Sequence, residues 1–283
     1  MPNDYPKIGA HISAAGNLTL APLRAGKAGL ECFQFFSRSP QGGPAKPITA
    51  KLAADFKAYC GQYRLESYIH TPYYINLASA KNNIYYGSIS AIREELERGS
   101  LLGVKYAITH LGSAKDLGEA AGLKKCLDGL AQILKDYAGS TELLIEMSAG
   151  AGAIIGDTFE EIAKIVLSPK LKKYNLGVCF DTCHAFASGY DLRDAKTVAA
   201  TFKKFDRLLG IERLKLIHAN DCRSEFNSHK DRHAHIGQGK IGLAGFKAIT
   251  AFAKKQKINL ILETPQDDEF GKDAKILKKL RDN

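Results

Sequence analysis

Leu176-Gly-Val-Cys-Phe-Asp-Thr-Cys-His-Ala-Phe-Ala-Ser-Gly-Tyr-Asp-Leu192 is the stretch from which the rest of the chain can be read. Residues 177–180 form a short apolar run of strand character, the kind buried on both faces of a parallel sheet. The run breaks on Asp181, and His184 follows three residues later. A carboxylate and an imidazole at the exit of a buried strand are costly unless something pairs with them. A single such residue could simply hydrogen-bond a loop backbone. The weight comes from recurrence.

Working outward, similar apolar runs stand at 8–13, 31–37, 67–70, 106–110, 143–146, 214–218 and 259–263. Helical patterns are expected near 18–30, 50–63, 87–103, 117–137, 158–167, 195–209 and 244–255, with a basic amphipathic helix over 272–281. A long polar loop is expected over 220–239. Eight strand–helix units, most spaced by roughly 35–45 residues, fit an α/β fold of the (β/α)8 TIM-barrel type better than an open doubly wound sheet. The doubly wound alternative wants a glycine-rich phosphate loop after the first strand, and Gly9-Ala-His-Ile-Ser-Ala-Ala-Gly16 does not match it. With no linker or low-complexity tract, residues 1–283 are read as one domain.

Composition narrows the class. The chain has 283 residues, 45% hydrophobic and 25% charged, which is ordinary for a globular protein. No apolar run approaches the roughly 18–20 residues that span a bilayer. The opening Met1-Pro-Asn-Asp-Tyr-Pro-Lys7 lacks the pattern of a signal peptide. The six cysteines, at 32, 60, 126, 179, 183 and 222, contain no C-x-x-C pair and read as reduced thiols. A cytoplasmic protein with no membrane association is expected. The net charge of +10 favours polyanionic partners, nucleic acid among them.

The chemistry is concentrated at the ends of the last six runs, which close on His70, His110, Glu146, Asp181, His218 and Glu263. All are metal-ligand types at the C-terminal mouth, where barrel active sites are built. His184, expected in the loop after the 177–180 run, adds to them, as do Asp231 and His233, which would share a side of an extended segment. Nine candidates, five of them imidazoles, can serve three catalytic ions if some carboxylates bridge. The nitrogen-rich mix favours Zn2+, with Mn2+ or Fe2+ as alternatives at individual positions, over an all-oxygen Mg2+ or Ca2+ site. Closely spaced divalent ions suit in-line displacement at phosphorus.

Nearly the whole chain resembles the endonuclease IV family of apurinic/apyrimidinic endonucleases of base-excision repair. The matching segments are Ile8-Gly-Ala-His-Ile-Ser-Ala-Ala-Gly16, His70 with Tyr74-Ile-Asn-Leu77, Thr109-His-Leu-Gly-Ser113 and Ile145-Glu-Met-Ser-Ala-Gly150. They continue through the 179–192 block, Ile217-His-Ala-Asn-Asp221, Asp231-Arg-His233, Gly237-Gln-Gly-Lys-Ile-Gly242 and Leu260-Ile-Leu-Glu-Thr264. The resemblance implies a TIM barrel with three zinc ions that cleaves the phosphodiester 5′ to abasic sites in double-stranded DNA, removes 3′-blocking groups and works as a monomer. It assigns His70, His110 and Glu146 to one ion, and Glu146, Asp181, His218 and Glu263 to a second. His184, Asp231 and His233 fall to the third. Glu146 and Glu263 are the expected catalytic residues, around a metal-activated hydroxide nucleophile.

The family commonly carries a bulky or basic side chain in the loop after the second strand, where the protein penetrates DNA. Here the loop reads Ser37-Arg-Ser-Pro-Gln-Gly-Gly-Pro44, with Gln41 at that position. Tyr73 is the candidate wedge into the base stack. Arg38 and Arg232 are the candidate phosphate contacts, and Lys115, Arg223 and Lys240 lie in loops on the same face. His11 is read as structural or as a support to the ligands behind them, and His229 and His235 as solvated loop residues. A sugar isomerase or epimerase of the same barrel type remains the alternative. Glu146, Asp181, His218 and Glu263 would satisfy it alone, but it leaves the other five candidates without a role.

Overall fold

The computed structural model describes residues 6–174, 176–265 and 270–283; the first five residues of the opening segment lie outside this set. The elements run β1 (Ile8–His11), α1 (Leu20–Lys27), β2 (Cys32–Phe35), α2 (Ala50–Tyr63), β3 (Glu66–His70), α3 (Asn82–Leu102) and β4 (Tyr106–Thr109). Next come α4 (Glu119–Leu134), β5 (Glu142–Glu146), α5 (Phe159–Val166), β6 (Gly177–Asp181), α6 (Thr182–Ala187) and α7 (Ala195–Leu209). The chain ends with β7 (Leu214–His218), β8 (Asp221–Cys222), β9 (His233–Ala234), α8 (Gly242–Gln256), β10 (Asn259–Leu262) and α9 (Phe270–Asp282). Eight strands pair in parallel and close in the order β1-β10-β7-β6-β5-β4-β3-β2, a TIM barrel with helices between its strands.

Period-two alternation sorts the side chains. One set faces outward to the helices, where Phe33, Phe35, Ile69, Ile145, Val178, Phe180 and Ile217 join the main apolar core. The other set fills the lumen. Cys32, Tyr68, Tyr106, Ile108, Leu144, Cys179, Leu216 and Ile261 form a separate buried cluster there. Two residues further along seven of these strands, in the same inward phase, stand Gln34, His70, His110, Glu146, Asp181, His218 and Glu263. The apolar layer is thus a floor, and the polar ring rests on it. Gly9 on β1 has no room for a side chain, since a Cβ would lie 1.9 Å from the Cys32 carbonyl oxygen.

Three expectations need correction. His184 sits on α6, not in a loop; that helix starts directly after β6, with Asp181 capping it by accepting the His184 N–H at 2.7 Å. The polar stretch after β7 contains an antiparallel pair, β8 with β9, in which Cys222 lies opposite His233. Two-residue strands are too short to carry an alternating pattern. Finally, α3 begins at Asn82, five residues before the expected start at 87. Gly87 is an interior helical glycine in open space, not a breaker.

Candidate metal centre

The nine sequence-predicted ligands meet at the C-terminal mouth of the barrel. Donor atoms within 4.8 Å of one another occur in His70, His110 and Glu146; in Glu146, Asp181, His218 and Glu263; and in His184, Asp231 and His233. Glu146 belongs to two groups. Its Oε2 lies 2.9 Å from His70 Nε2 and 3.4 Å from His110 Nε2, while its Oε1 lies 2.9 Å from His218 Nδ1. Asp231 spans the third group, 3.2 Å from both His184 Nε2 and His233 Nε2.

Each imidazole is oriented by its other nitrogen. His70 Nδ1–H donates to the Thr71 carbonyl at 2.7 Å, His184 Nδ1–H to the Met147 carbonyl at 2.9 Å, and His233 Nδ1–H to the Glu263 carbonyl at 3.0 Å. His110 Nδ1 faces the Ser148 hydroxyl at 3.3 Å. In these four rings Nε2 is left toward the carboxylates. His218 is turned the other way: its Nε2–H donates to Gln34 Oε1 at 2.8 Å and its Nδ1 faces the centre. Fixing one ring nitrogen by hydrogen bonding is the usual preparation of a histidine ligand.

Electrostatics says the same. Burial pushes the Glu146 carboxyl up, yet His110, His218 and His70 together hold it well below the carboxylate range. Burial lowers His110 to about 4 despite the Glu146 charge. Burial also opposes protonation of His233, but the Asp231 hydrogen bond and the Asp181 charge outweigh it and lift the ring to about 9. His11, lowered by burial to about 4, remains neutral at the edge of the ring. Protons on imidazoles balance the carboxylates where cations could stand. His233 Nε2 is buried, and its contact with Asp231 at 3.2 Å is an ion pair too poorly aligned for a full hydrogen bond. Five imidazoles and four carboxylates, with a buried ring nitrogen on His233 left poorly aligned to its carboxylate partner, fit divalent ions of the zinc type.

Two residues of this centre were not singled out from sequence. Gln34, fully buried, touches His218, Glu263 and His11. Asn220 donates to Asp181 Oδ2 at 2.6 Å and accepts the Glu263 N–H at 2.7 Å. The available signal was an amide inside an apolar run, Cys32-Phe-Gln-Phe35, and another directly after a ligand strand.

A cleft of about 520 Å³ opens over the ligands, walled by Phe36, Tyr73 and Arg232. A larger cavity of about 720 Å³ adjoins it behind His11 and Phe36, beneath the loops after β1 and β2, and holds none of the nine ligands. Tyr73 is 72% exposed and meets Phe36 edge-on, with ring centroids 5.1 Å apart. Gln41 and Arg232 are exposed. Arg38 is a correction: its guanidinium turns inward to Glu95 at 2.6 Å and to Glu94, so it is committed within the protein. His235 is another, since it is buried against Asp273 at 2.8 Å. His229 packs over Gly150, where an added Cβ would lie 2.4 Å from its Nδ1.

A family model described as a xylose isomerase-like TIM barrel matches residues 23–280. A protein of Chloroflexus aggregans named probable endonuclease 4 is 39% identical over 280 residues, covering 98% of this chain and 97% of that protein. The crystal structure of endonuclease IV from Thermus thermophilus aligns with a TM-score of 0.86 at 30% identity, covering 98% of this chain and 99% of the other. A D-tagatose 3-epimerase-like protein aligns with a TM-score of 0.73 at 21% identity over 98% of this chain and 97% of its own, a likeness of fold alone.

Proposed function

Because the chain belongs to the endonuclease IV family of metal-dependent DNA-cleaving hydrolases, we propose that it incises double-stranded DNA 5′ to abasic sites and removes 3′-blocking groups. The observation that carries this reading is the sharing of Glu146 between two adjoining donor groups, with the group of His184, Asp231 and His233 beside them. A sugar epimerase has use for the group of Glu146, Asp181, His218 and Glu263. It has none for the remaining five residues.

Three Zn2+ are the proposed cofactors. His70, His110 and Glu146 hold one; Glu146, Asp181, His218 and Glu263 the second; His184, Asp231 and His233 the third. When bound, such ions supply water activation, neutralisation of the scissile phosphate and stabilisation of the departing 3′-oxygen. The chain's own groups do the rest. Glu146 holds the first two positions in register, and Glu263, at the cleft edge, orients the attacking water. Tyr73, on the cleft wall, wedges beside the abasic nucleotide. Arg232 and Gln41 contact the DNA at the rim; Arg38 braces the loop after β2 through its carboxylate partners.

We read residues 1–283 as one domain acting as a cytoplasmic monomer; no described helix is long and apolar enough to cross a membrane. The test is nicking of a duplex carrying a tetrahydrofuran abasic analogue. Nicking should be abolished by a chelator and restored by Zn2+, and Glu146→Gln should bring it below detection with the fold retained. Epimerisation of keto-sugars by a protein unable to nick that duplex would overturn the assignment.

A further inference from the structure

We propose that Gln34 is a positioning residue for the second metal position, fixing which nitrogen of His218 and which rotamer of Glu263 face the ion. The inference rests on the metal reading above. Gln34 lies on β2, which contributes none of the nine ligands, and its side chain points into the lumen two residues above Cys32. It is fully buried, so its amide must find partners inside the protein.

Those partners leave the amide one orientation. Glu263 Oε1 lies 2.6 Å away, and an ionised carboxylate only accepts. The nitrogen of the amide must therefore face Glu263. The second hydrogen of that nitrogen reaches His11 Nδ1 at 3.0 Å. The oxygen then necessarily faces His218, and accepts from Nε2 at 2.8 Å. With one proton held on Nε2, Nδ1 is the nitrogen His218 turns toward Glu146 Oε1, Glu263 Oε2 and Asp181 Oδ2, at 2.9, 3.2 and 3.9 Å, where an ion would take the place of the proton that bridges Nδ1 to Glu146.

The same amide therefore sets two ligands of one ion. It donates to a carboxylate, leaving the other oxygen of Glu263 for the centre, and it accepts from an imidazole, selecting the ligating nitrogen. Among the described residues no backbone carbonyl does this for His218, in contrast to His70, His184 and His233. Buried groups that orient metal ligands are typically worth about 10–100-fold in metal affinity or activity. Gln34 is fully buried within the ring and cannot touch DNA, so its effect should appear in kcat and leave KM for DNA unchanged.

The experiment compares wild type, Gln34→Leu and Gln34→Glu, each stripped and reloaded with zinc. Leu removes both hydrogen bonds. Glu keeps an acceptor for His218 but sets a like charge against Glu263. Competition with a chromogenic chelator should show one of the zinc ions bound about 10–100-fold more weakly in Gln34→Leu, with the others unchanged. Nitrogen-15 spectra of the zinc-loaded proteins should show an exchange-protected His218 Nε2–H in wild type and Gln34→Glu, and none in Gln34→Leu. Melting of the metal-free proteins checks the fold; should Gln34→Leu fail to fold, Gln34→Met takes its place with the same expectations. If a folded apolar variant keeps the wild-type competition curve and the His218 signal, the positioning role is overturned. If wild type itself takes up no zinc, the metal reading fails, and this inference with it.

Discussion

Asp221 shows how much one side chain can organise. It follows the ligand strand β7 by three residues and is fully buried. Its Oδ1 accepts the N–H groups of Cys222 and Ile241 at 2.8 and 3.0 Å. Its Oδ2 accepts those of Gly237, Gly239 and Gly242 at 2.9, 3.0 and 3.2 Å. A Cβ on Gly239 would stand 2.4 Å from Asp221 Oδ1, which is why glycine is required there. Asp221→Ala would strand these donors, and a buried unsatisfied polar group costs about 1–3 kcal/mol. We expect a loss of more than about 3 kcal/mol in urea unfolding, with Asp221→Asn, which keeps one acceptor oxygen, losing less. At this scale the sequence is legible where chemistry and position coincide, as at His70 or Glu263, and opaque where a polar residue serves a neighbour. His235 looks like a loop residue, and only the fold reveals that Asp273, 38 positions away, receives it. Likewise nothing local in Ser37-Arg-Ser-Pro40 discloses that Arg38 is already engaged by α3.

At the scale of elements, the strands are legible because each apolar run is short and most end on a polar residue of metal-ligand type. The β8–β9 pair is not, because its pairing depends on Asp221 and on contacts remote in sequence. The floor of the barrel carries a pH signature. Glu66, at the start of β3, joins three segments: Lys7 Nζ lies 2.9 Å from Oε1, while Tyr68 and Asn259 donate to Oε2 at 3.0 and 3.2 Å. Burial pushes this carboxyl up, but the Lys7 hydrogen bond and charge outweigh it, so its folded pKa lies below the ordinary 4.5. A depressed carboxyl stabilises the fold above its unfolded pKa, and that contribution is lost as pH falls through the folded value. Glu66→Gln should thus melt below wild type at neutral pH, and the gap should close as pH drops from about 4.5 downward. A gap that is constant from about pH 7 to about pH 3 would contradict the assignment.

For the whole molecule, the barrel supplies rigidity, and the loops are where we propose that DNA is contacted. The net charge of +10 leads us to expect that affinity for abasic duplex falls steeply with salt. Each neutralised phosphate adds about 0.9 to the slope of log K against log salt. Arg232→Ala should reduce that slope by about one. Tyr73→Ala should weaken binding to abasic DNA without changing the slope, since the wedge carries no charge. Filter binding between low and moderate salt reads all three.

The proposed ligands are not equally anchored. Six of the nine stand at or directly after the ends of barrel strands that neighbours grip on both sides. Of the other three, His184 rides a helix of six residues, His233 belongs to a two-residue strand, and Asp231 lies in the segment leading into it and is half exposed. Mild chelation should therefore strip the protein in two phases, with one equivalent of zinc leaving early and two retained until stronger chelation removes them. A partly demetallated species, intact in fold yet unable to turn over, would then be the natural resting form of the protein wherever zinc is scarce.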